Sequence, residues 1–192
     1  MADGDASFIE VDGKTKRSLE GADYYEVNPL GLVPALRTDD GDILTENAAV
    51  LQYIADRHPA ANLAPRDGMD RSRLQQWLSF VGTELHKALF IPLLDRGISE
   101  TVKTQTLEKG AKRLAYLDAH LSGREFLLDR FSVADAYLFT VLNWNIATPV
   151  DLKQWPAVEA YYTRLKQRPS IARALKEEFE LYRAEQKRYK AA

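Results

Sequence analysis

Two short stretches carry residues whose chemistry converges on one kind of ligand. In Val33-Pro34 the proline makes a cis bond accessible. In that geometry the strand turns the Val33 N–H and C=O sideways, where a peptide can pair with them. Further on, Thr45-Glu46-Asn47 opens a helix, and unpaired N–H groups and the positive dipole end of a helix start favour a carboxylate. Glu46 offers a negative charge to an ammonium, and the Asn47 amide can donate to the carboxylate. A ligand with a peptide bond and an amino-acid head group satisfies all three features. An ordinary hairpin and capped helix would explain any one of them alone.

The elements that must position these residues follow from local pattern. Val33 to Arg37 reads as a β-type run, and Asp40-Gly41 signals a type I′ hairpin turn, whose central residues both need positive φ. A second strand is expected over Asp42 to Leu44. Thr45 then stands at a helix N-cap with Glu46 in the first turn, and Ala48, Leu51, Ile54 and Ala55 follow at helical spacing. His58-Pro59 ends that helix, because proline disfavours helix in the residue before it. Before this unit, Phe8-Ile9-Glu10-Val11 is an expected strand, followed by a polar segment with Lys14, Lys16 and Arg17.

Length and composition bound the answer. The 192 residues suffice for one large or two small domains with a sizeable core. A net charge of −2 leaves no broad basic surface for nucleic acid. The absence of cysteine excludes disulfides, thiolate metal sites and a cysteine nucleophile. Met1-Ala2-Asp3-Gly4-Asp5 lacks the features of a signal peptide, and no run approaches a membrane span, so a soluble cytoplasmic protein is expected. His58, His86 and His120 fall on separate elements without ligand spacing, so no metal is expected. There is neither a phosphate-cradling glycine loop nor a Gly-x-Ser-x-Gly elbow.

After a linker at 60–67 the pattern becomes wholly helical, giving units at 1–59 and 68–192. Leu74, Trp77, Leu78, Val81, Leu85 and Ala88 trace a long amphipathic helix that Pro92 should end or kink. Leu107 to Leu121 repeats the pattern, with Gly123 as a stop. Thr83-Glu84-Leu85-His86-Lys87 lies off the apolar stripe, and by itself reads as a solvated helix face. Ser132-Val133-Ala134-Asp135 is a capping box. It opens a segment from Ala136 to Trp144 that is apolar almost all round and therefore buried. Asp135 reads as structural. Two further helices are expected around Tyr161 and Leu175, with Lys187-Arg188-Tyr189-Lys190 a solvated, fraying tail.

Val33-Pro34 followed by Leu44-Thr45-Glu46-Asn47-Ala48-Ala49-Val50-Leu51 resembles the glutathione-binding half of a glutathione transferase. The resemblance runs from Phe8 onward, and the Glu84-Leu85-His86-Lys87 run is most similar to the bacterial beta class. It implies an α+β protein, a thioredoxin-like N-terminal domain followed by an all-α helical bundle. In that family the Val-Pro backbone holds the cysteinyl part of glutathione. The acidic residue and its neighbour, usually Ser and here Asn47, hold the γ-glutamyl part. Glu84, His86 and Lys87 would face the cleft, with Glu84 reaching across a homodimer, and Lys16 would contact glutathione. Ser132 and Asp135 match the box that opens the core helix of the family's second domain.

One part of the family pattern has no counterpart. The usual first strand and helix, which bring a Tyr, Ser or Cys to the thiol, are absent, so no catalytic residue is assigned. Three accounts stand open: a start lying upstream, Phe8 to Val11 sliding into the vacant slot, or a partner chain filling it. Two functions follow from the resemblance. One is a transferase that conjugates glutathione, its co-substrate, to a hydrophobic electrophile or reduces a peroxide. The other is a non-catalytic binding or scaffolding module on the same fold.

Overall fold

The computed structural model describes residues 7–191, so the reading of Met1–Asp5 lies outside the described part. The N-terminal sheet has two antiparallel strands, β1 (Ala35–Arg37) and β2 (Ile43–Thr45), with Ala35 opposite Thr45 and Arg37 opposite Ile43. The turn between them is not type I′. Gly41 is left-handed at φ 90° while Asp40 is not. The Thr38 C=O accepts the Gly41 N–H at 3.0 Å, and the Thr38 N–H donates to the Asp42 C=O at 2.9 Å. One left-handed glycine closing a longer turn gives the same reversal, and it moves the second strand one residue on from the expected span.

The expected strand at Phe8 to Val11 does not form. Phe8 and Ile9 are 94% and 75% exposed, and single bridges, Val11 to Ser18 and Arg17 to Asp23, fold this segment on itself. A strand needs a ladder to satisfy its backbone; this segment finds its partners locally and does not enter the sheet. It is anchored by the other end of the chain. Arg188 pairs with Glu10, and the Lys14 ammonium stands 3.8 Å from the Tyr189 ring centroid. The basic tail expected to fray is thus packed, as the last turns of α7 (Pro169–Ala191).

Helix α1 (Asn47–Arg57) follows β2 directly and buries Val50 and Ala55. Beyond the connection, a continuous helical rod is built from α2 (Gly68–Phe80), a π-helical stretch (Val81–Phe90) and α3 (Ile91–Leu94). Pro92 does not end it. The Ile91 N–H donates to the His86 C=O, five residues back, and this wider winding carries the chain past a proline whose ring would press on the preceding turn of an α-helix. Helix α4 (Glu100–Leu121) runs antiparallel to the rod. At Gly110 the two approach so closely that a Cβ would lie 2.3 Å from a Leu89 methyl.

Helix α5 (Val133–Asn143) sits at the centre, with Leu138, Val141 and Leu142 fully buried. Its capping box is present as expected. The Asp135 carboxylate accepts the Ser132 N–H at 2.8 Å, the Ser132 hydroxyl at 3.0 Å, the Leu127 N–H at 2.9 Å and, from α6 (Pro156–Lys166), the Tyr161 hydroxyl at 2.9 Å. Burial nevertheless outweighs these donors and raises the Asp135 pKa above the ordinary carboxylate value. The stability linked to this proton is therefore full below that ordinary value and declines as pH rises through the raised one.

Three substitutions, at two points of this packing, test it by urea unfolding. Asp135→Ala strands buried donors at about 1–3 kcal/mol each, and should lower stability by about 3 kcal/mol or more, against ~1 kcal/mol for Ser132→Ala. Gly110→Val overfills the contact with Leu89 and should cost about 1–3 kcal/mol. Unchanged midpoints would contradict both.

Candidate functional site

The Val33-Pro34 bond is cis, the condition that the backbone reading sets, and Val33 is 65% exposed. The loop before it is fixed from below. Buried Tyr24 donates its hydroxyl to the Leu32 C=O at 2.9 Å, and the Asn28 amide donates to the same oxygen at 2.6 Å. Gly31 has φ 62° and lies so close to the Tyr25 ring that a Cβ would stand 2.8 Å from it, so the loop needs glycine there for two reasons. Among the described residues, no hydrogen bond takes up the Val33 N–H or C=O. These groups are available to a ligand.

The helix start differs from the sequence expectation. Thr45 is the last residue of β2, and Glu46 occupies the N-cap position with φ 70° and ψ 120°. Positive φ at a residue with a side chain costs on the order of 1–3 kcal/mol. It is held because the Glu46 C=O must still accept the Ala49 and Val50 N–H groups, both at 3.0 Å, immediately after the strand ends. The result leaves the Glu46 side chain exposed and Asn47 half-buried at the first helical position. No side chain caps the helix, so its first N–H groups remain open to an anion.

The helical domain contributes the opposite wall. His86, in the π-helical stretch, places Nδ1 2.7 Å from the Tyr137 hydroxyl of α5 and packs edge-on against Trp144 at 4.9 Å between ring centroids. Burial first, and the charge of Lys87 second, lower the His86 pKa below its ordinary value, while the Glu46 charge opposes them. The neutral imidazole is therefore favoured. Both Asn47 and Glu46 also act on Tyr137, whose pKa burial raises. Glu46, Asn47, His86 and Tyr137 thus meet where the two domains touch. Arg71 of α2 and Asp56 of α1 pin the same joint with paired contacts of 2.8 and 2.9 Å.

Both the sequence and the fold match known proteins. The family signature described as the glutathione S-transferase N-terminal domain matches residues 7–57, and that of the C-terminal domain matches residues 80–169. Glutathione S-transferase GstA of Escherichia coli O157:H7 is 39% identical over 176 residues, covering 91% of this chain and 87% of its own. The chain belongs to the glutathione S-transferase family. Solved structures of the family agree. A sphingomonad glutathione S-transferase complexed with glutathione superposes with a TM-score of 0.84 at 44% identity, over 90% of this chain and 88% of that one. A bacterial beta class glutathione S-transferase from Sphingomonas chungbukensis gives 0.84 at 45%, with the same coverage.

The remaining sequence-predicted residues fall unequally around this family's fold. Lys87 is exposed and makes no ion pair with a carboxylate among the described residues. Glu84 accepts Arg113 Nε of α4 at 2.6 Å within its own chain. Lys16 has φ 55° and is bound through its backbone, its N–H donating to the Asp12 C=O and its C=O accepting the Tyr24 N–H. No group of three or more acidic, His or Cys side chains placed to hold a metal occurs among the described residues. Tyr137, Tyr24, Asn28 and Trp144 escaped the sequence reading. Tyr137 and Trp144 lie in an apolar run that reads as core, and nothing in that run singles out the Tyr137 hydroxyl.

The electrostatics of the joint can be read from His86. Lys87→Gln removes a charge that holds its pKa down and should raise it, whereas Glu46→Gln removes a charge that holds it up and should lower it. An NMR titration of the ring resonances measures both; shifts in the same direction would contradict this arrangement.

Proposed function

We propose that this chain binds reduced glutathione across the domain joint and conjugates it to a hydrophobic electrophile. The reading rests on one observation: the unpaired Val33 backbone and the open start of α1 lie on successive parts of one strand-turn-helix unit, facing the His86 wall. The cysteinyl peptide of glutathione pairs with Val33 beside Pro34. The γ-glutamyl carboxylate takes the Asn47 amide and the first N–H groups of α1, and its ammonium takes Glu46. Lys87 brings positive charge to the cleft and His86 a neutral imidazole, with Lys16 and Glu84 at its periphery. The functional units are 1–59, the linker 60–67 and 68–192, acting as a cytoplasmic homodimer.

A free thiol has a pKa of about 8.5, so only a few per cent is thiolate at neutral pH. Conjugation forms a carbon–sulfur bond as the thiolate attacks the electrophilic carbon. The thiol proton passes to solvent, and the leaving group departs with its electron pair. The positive charge of Lys87 favours the anion.

A second reading, a binding module without turnover, is favoured by a specific observation. Tyr24, a hydroxyl of the N-terminal domain, is committed to the Leu32 C=O and is not available to a thiol.

Calorimetry with glutathione and spectrophotometry with chlorodinitrobenzene separate these outcomes. The unsubstituted chain should bind, and Glu46→Ala and Asn47→Ala should each weaken binding about tenfold or more, since a charge-assisted hydrogen bond contributes ~1.5–3 kcal/mol. Binding without turnover supports the module. No binding at millimolar glutathione overturns both readings.

A further inference from the structure

Helix α7 begins in the helical core and ends on the other domain. Its first turns are seated in the core, with Ile171 buried and Leu175 packed against the same cluster. Residues 176–184 are all exposed, and burial resumes at Glu185. From Leu175 to Arg188 the helix reaches about 20 Å, and an exposed arm of this kind frays unless its far end is held. The loop around Asp12 holds it. Arg188 pairs with Glu10, and the Lys14 ammonium stands 3.8 Å from the Tyr189 ring centroid. The Tyr189 hydroxyl donates to Glu185 Oε1 at 3.0 Å, and a Cβ on Gly13 would lie 3.9 Å from that same oxygen.

The gripped loop is itself well defined, and it leads on to the peptide edge. Asp12 Oδ1 accepts the Lys14 N–H at 2.9 Å, the Thr15 N–H at 2.7 Å and the Thr15 hydroxyl at 3.0 Å. The Lys16 N–H returns to the Asp12 C=O at 3.0 Å, and the Lys16 C=O accepts the Tyr24 N–H at 2.9 Å. The Tyr24 hydroxyl then donates to the Leu32 C=O at 2.9 Å. Asn28 shares that carbonyl but is no independent support, because its own N–H donates to the Tyr24 C=O at 2.9 Å. Direct contacts thus join the end of α7 to the peptide unit that carries the Val33 N–H.

We infer that the end of α7 is a clamp on the ligand-binding edge, with Arg188 and Tyr189 as positioning residues for the Val33 N–H. The Leu32 C=O and the Val33 N–H belong to one planar peptide unit. The oxygen that Tyr24 holds therefore fixes where that N–H points. Tyr24 is placed in turn by a loop with little packing of its own, since Phe8 and Ile9 beside it are exposed and single bridges join its arms. The ion pair and the ring contact from α7 supply what the loop lacks. That the N–H serves glutathione rests on the reading above; the mechanical link does not.

Amide hydrogen exchange tests the clamp through a charge swap. Arg188→Glu should speed exchange of the Tyr24 and Gly31 N–H groups, which bond the Lys16 and Asn28 carbonyls, by about twofold to fivefold, the scale of one lost ion pair. Exchange at Leu138 and Leu142 in α5 should not change, as it would if the pair merely stabilised the whole chain. Glu10→Arg should act alike, and the double substitution should restore the original rates. Reduced glutathione affinity, by calorimetry, should weaken in each single variant and recover in the pair. A folded Arg188→Glu with unchanged exchange at Tyr24 and Gly31, a pair without recovery, or an equal, measurable glutathione affinity in every form overturns the inference. If the single variants fail to fold, the unsubstituted protein decides. Its Tyr24, Gly31 and Arg188 amides should open as one unit in low urea, and separate openings overturn the clamp. If no form binds glutathione, the glutathione reading falls, while the exchange pattern still decides the clamp.

Discussion

Four donors from three parts of the chain converge on the Asp135 carboxylate, and the placement of the helical wall of the cleft depends on it. Ser132 supplies two of them and so fixes the start of α5; Leu127 ties down the loop before it, and Tyr161 joins α6. The neighbouring Val133 N–H donates to the Leu63 C=O at 2.9 Å, which anchors the interdomain connection to the same helix end. Tyr137 follows within the first turns of α5. A rotation or slide of that helix would carry its hydroxyl away from His86. The energetic logic is that of any buried ionisable group: the carboxylate is acceptable only while fully hydrogen-bonded, which makes the arrangement intolerant of partial loss.

The N-terminal domain is held by different means. Two strands of three residues each are marginal as an independent unit. Order comes from buried Tyr24 and Asn28 beneath the Leu32 carbonyl, from α1 packing Ala55 into the helical core, and from α7 gripping the loop around Glu10 and Lys14. The Asp56–Arg71 pair crosses the joint with good geometry, but Asp56 is half-exposed, so its worth is orientation more than stability. The site therefore lies where a rigid helical core meets a lightly held hairpin.

Much of this was legible in the sequence, for identifiable reasons. The capping box and the apolar run after it define α5 because cap chemistry and burial are local and periodic signals. Val33-Pro34 and Asp40-Gly41 mark turns because proline and glycine restrict the backbone strongly. What escaped depends on tertiary context. Phe8 to Val11 has strand-like side chains but no ladder to join. Thr45 looks like a cap, yet the sheet claims it and forces Glu46 into a left-handed cap position. Pro92 should end or kink a helix, and the π-wound stretch before it lets the rod run on only to Leu94. Tyr137 looks like core because its ring is core; only the position of its oxygen, set by the packing of α5 against α1, gives it a second role.

The most direct test of the central claim is a crystal structure of this chain with bound glutathione. The tripeptide should run antiparallel to Val33, exchanging backbone hydrogen bonds with it, and its glutamyl carboxylate should lie within hydrogen-bonding distance of the Asn47 amide at the start of α1. Glutathione seated elsewhere, with the Val33 backbone and the α1 start hydrated, would contradict it.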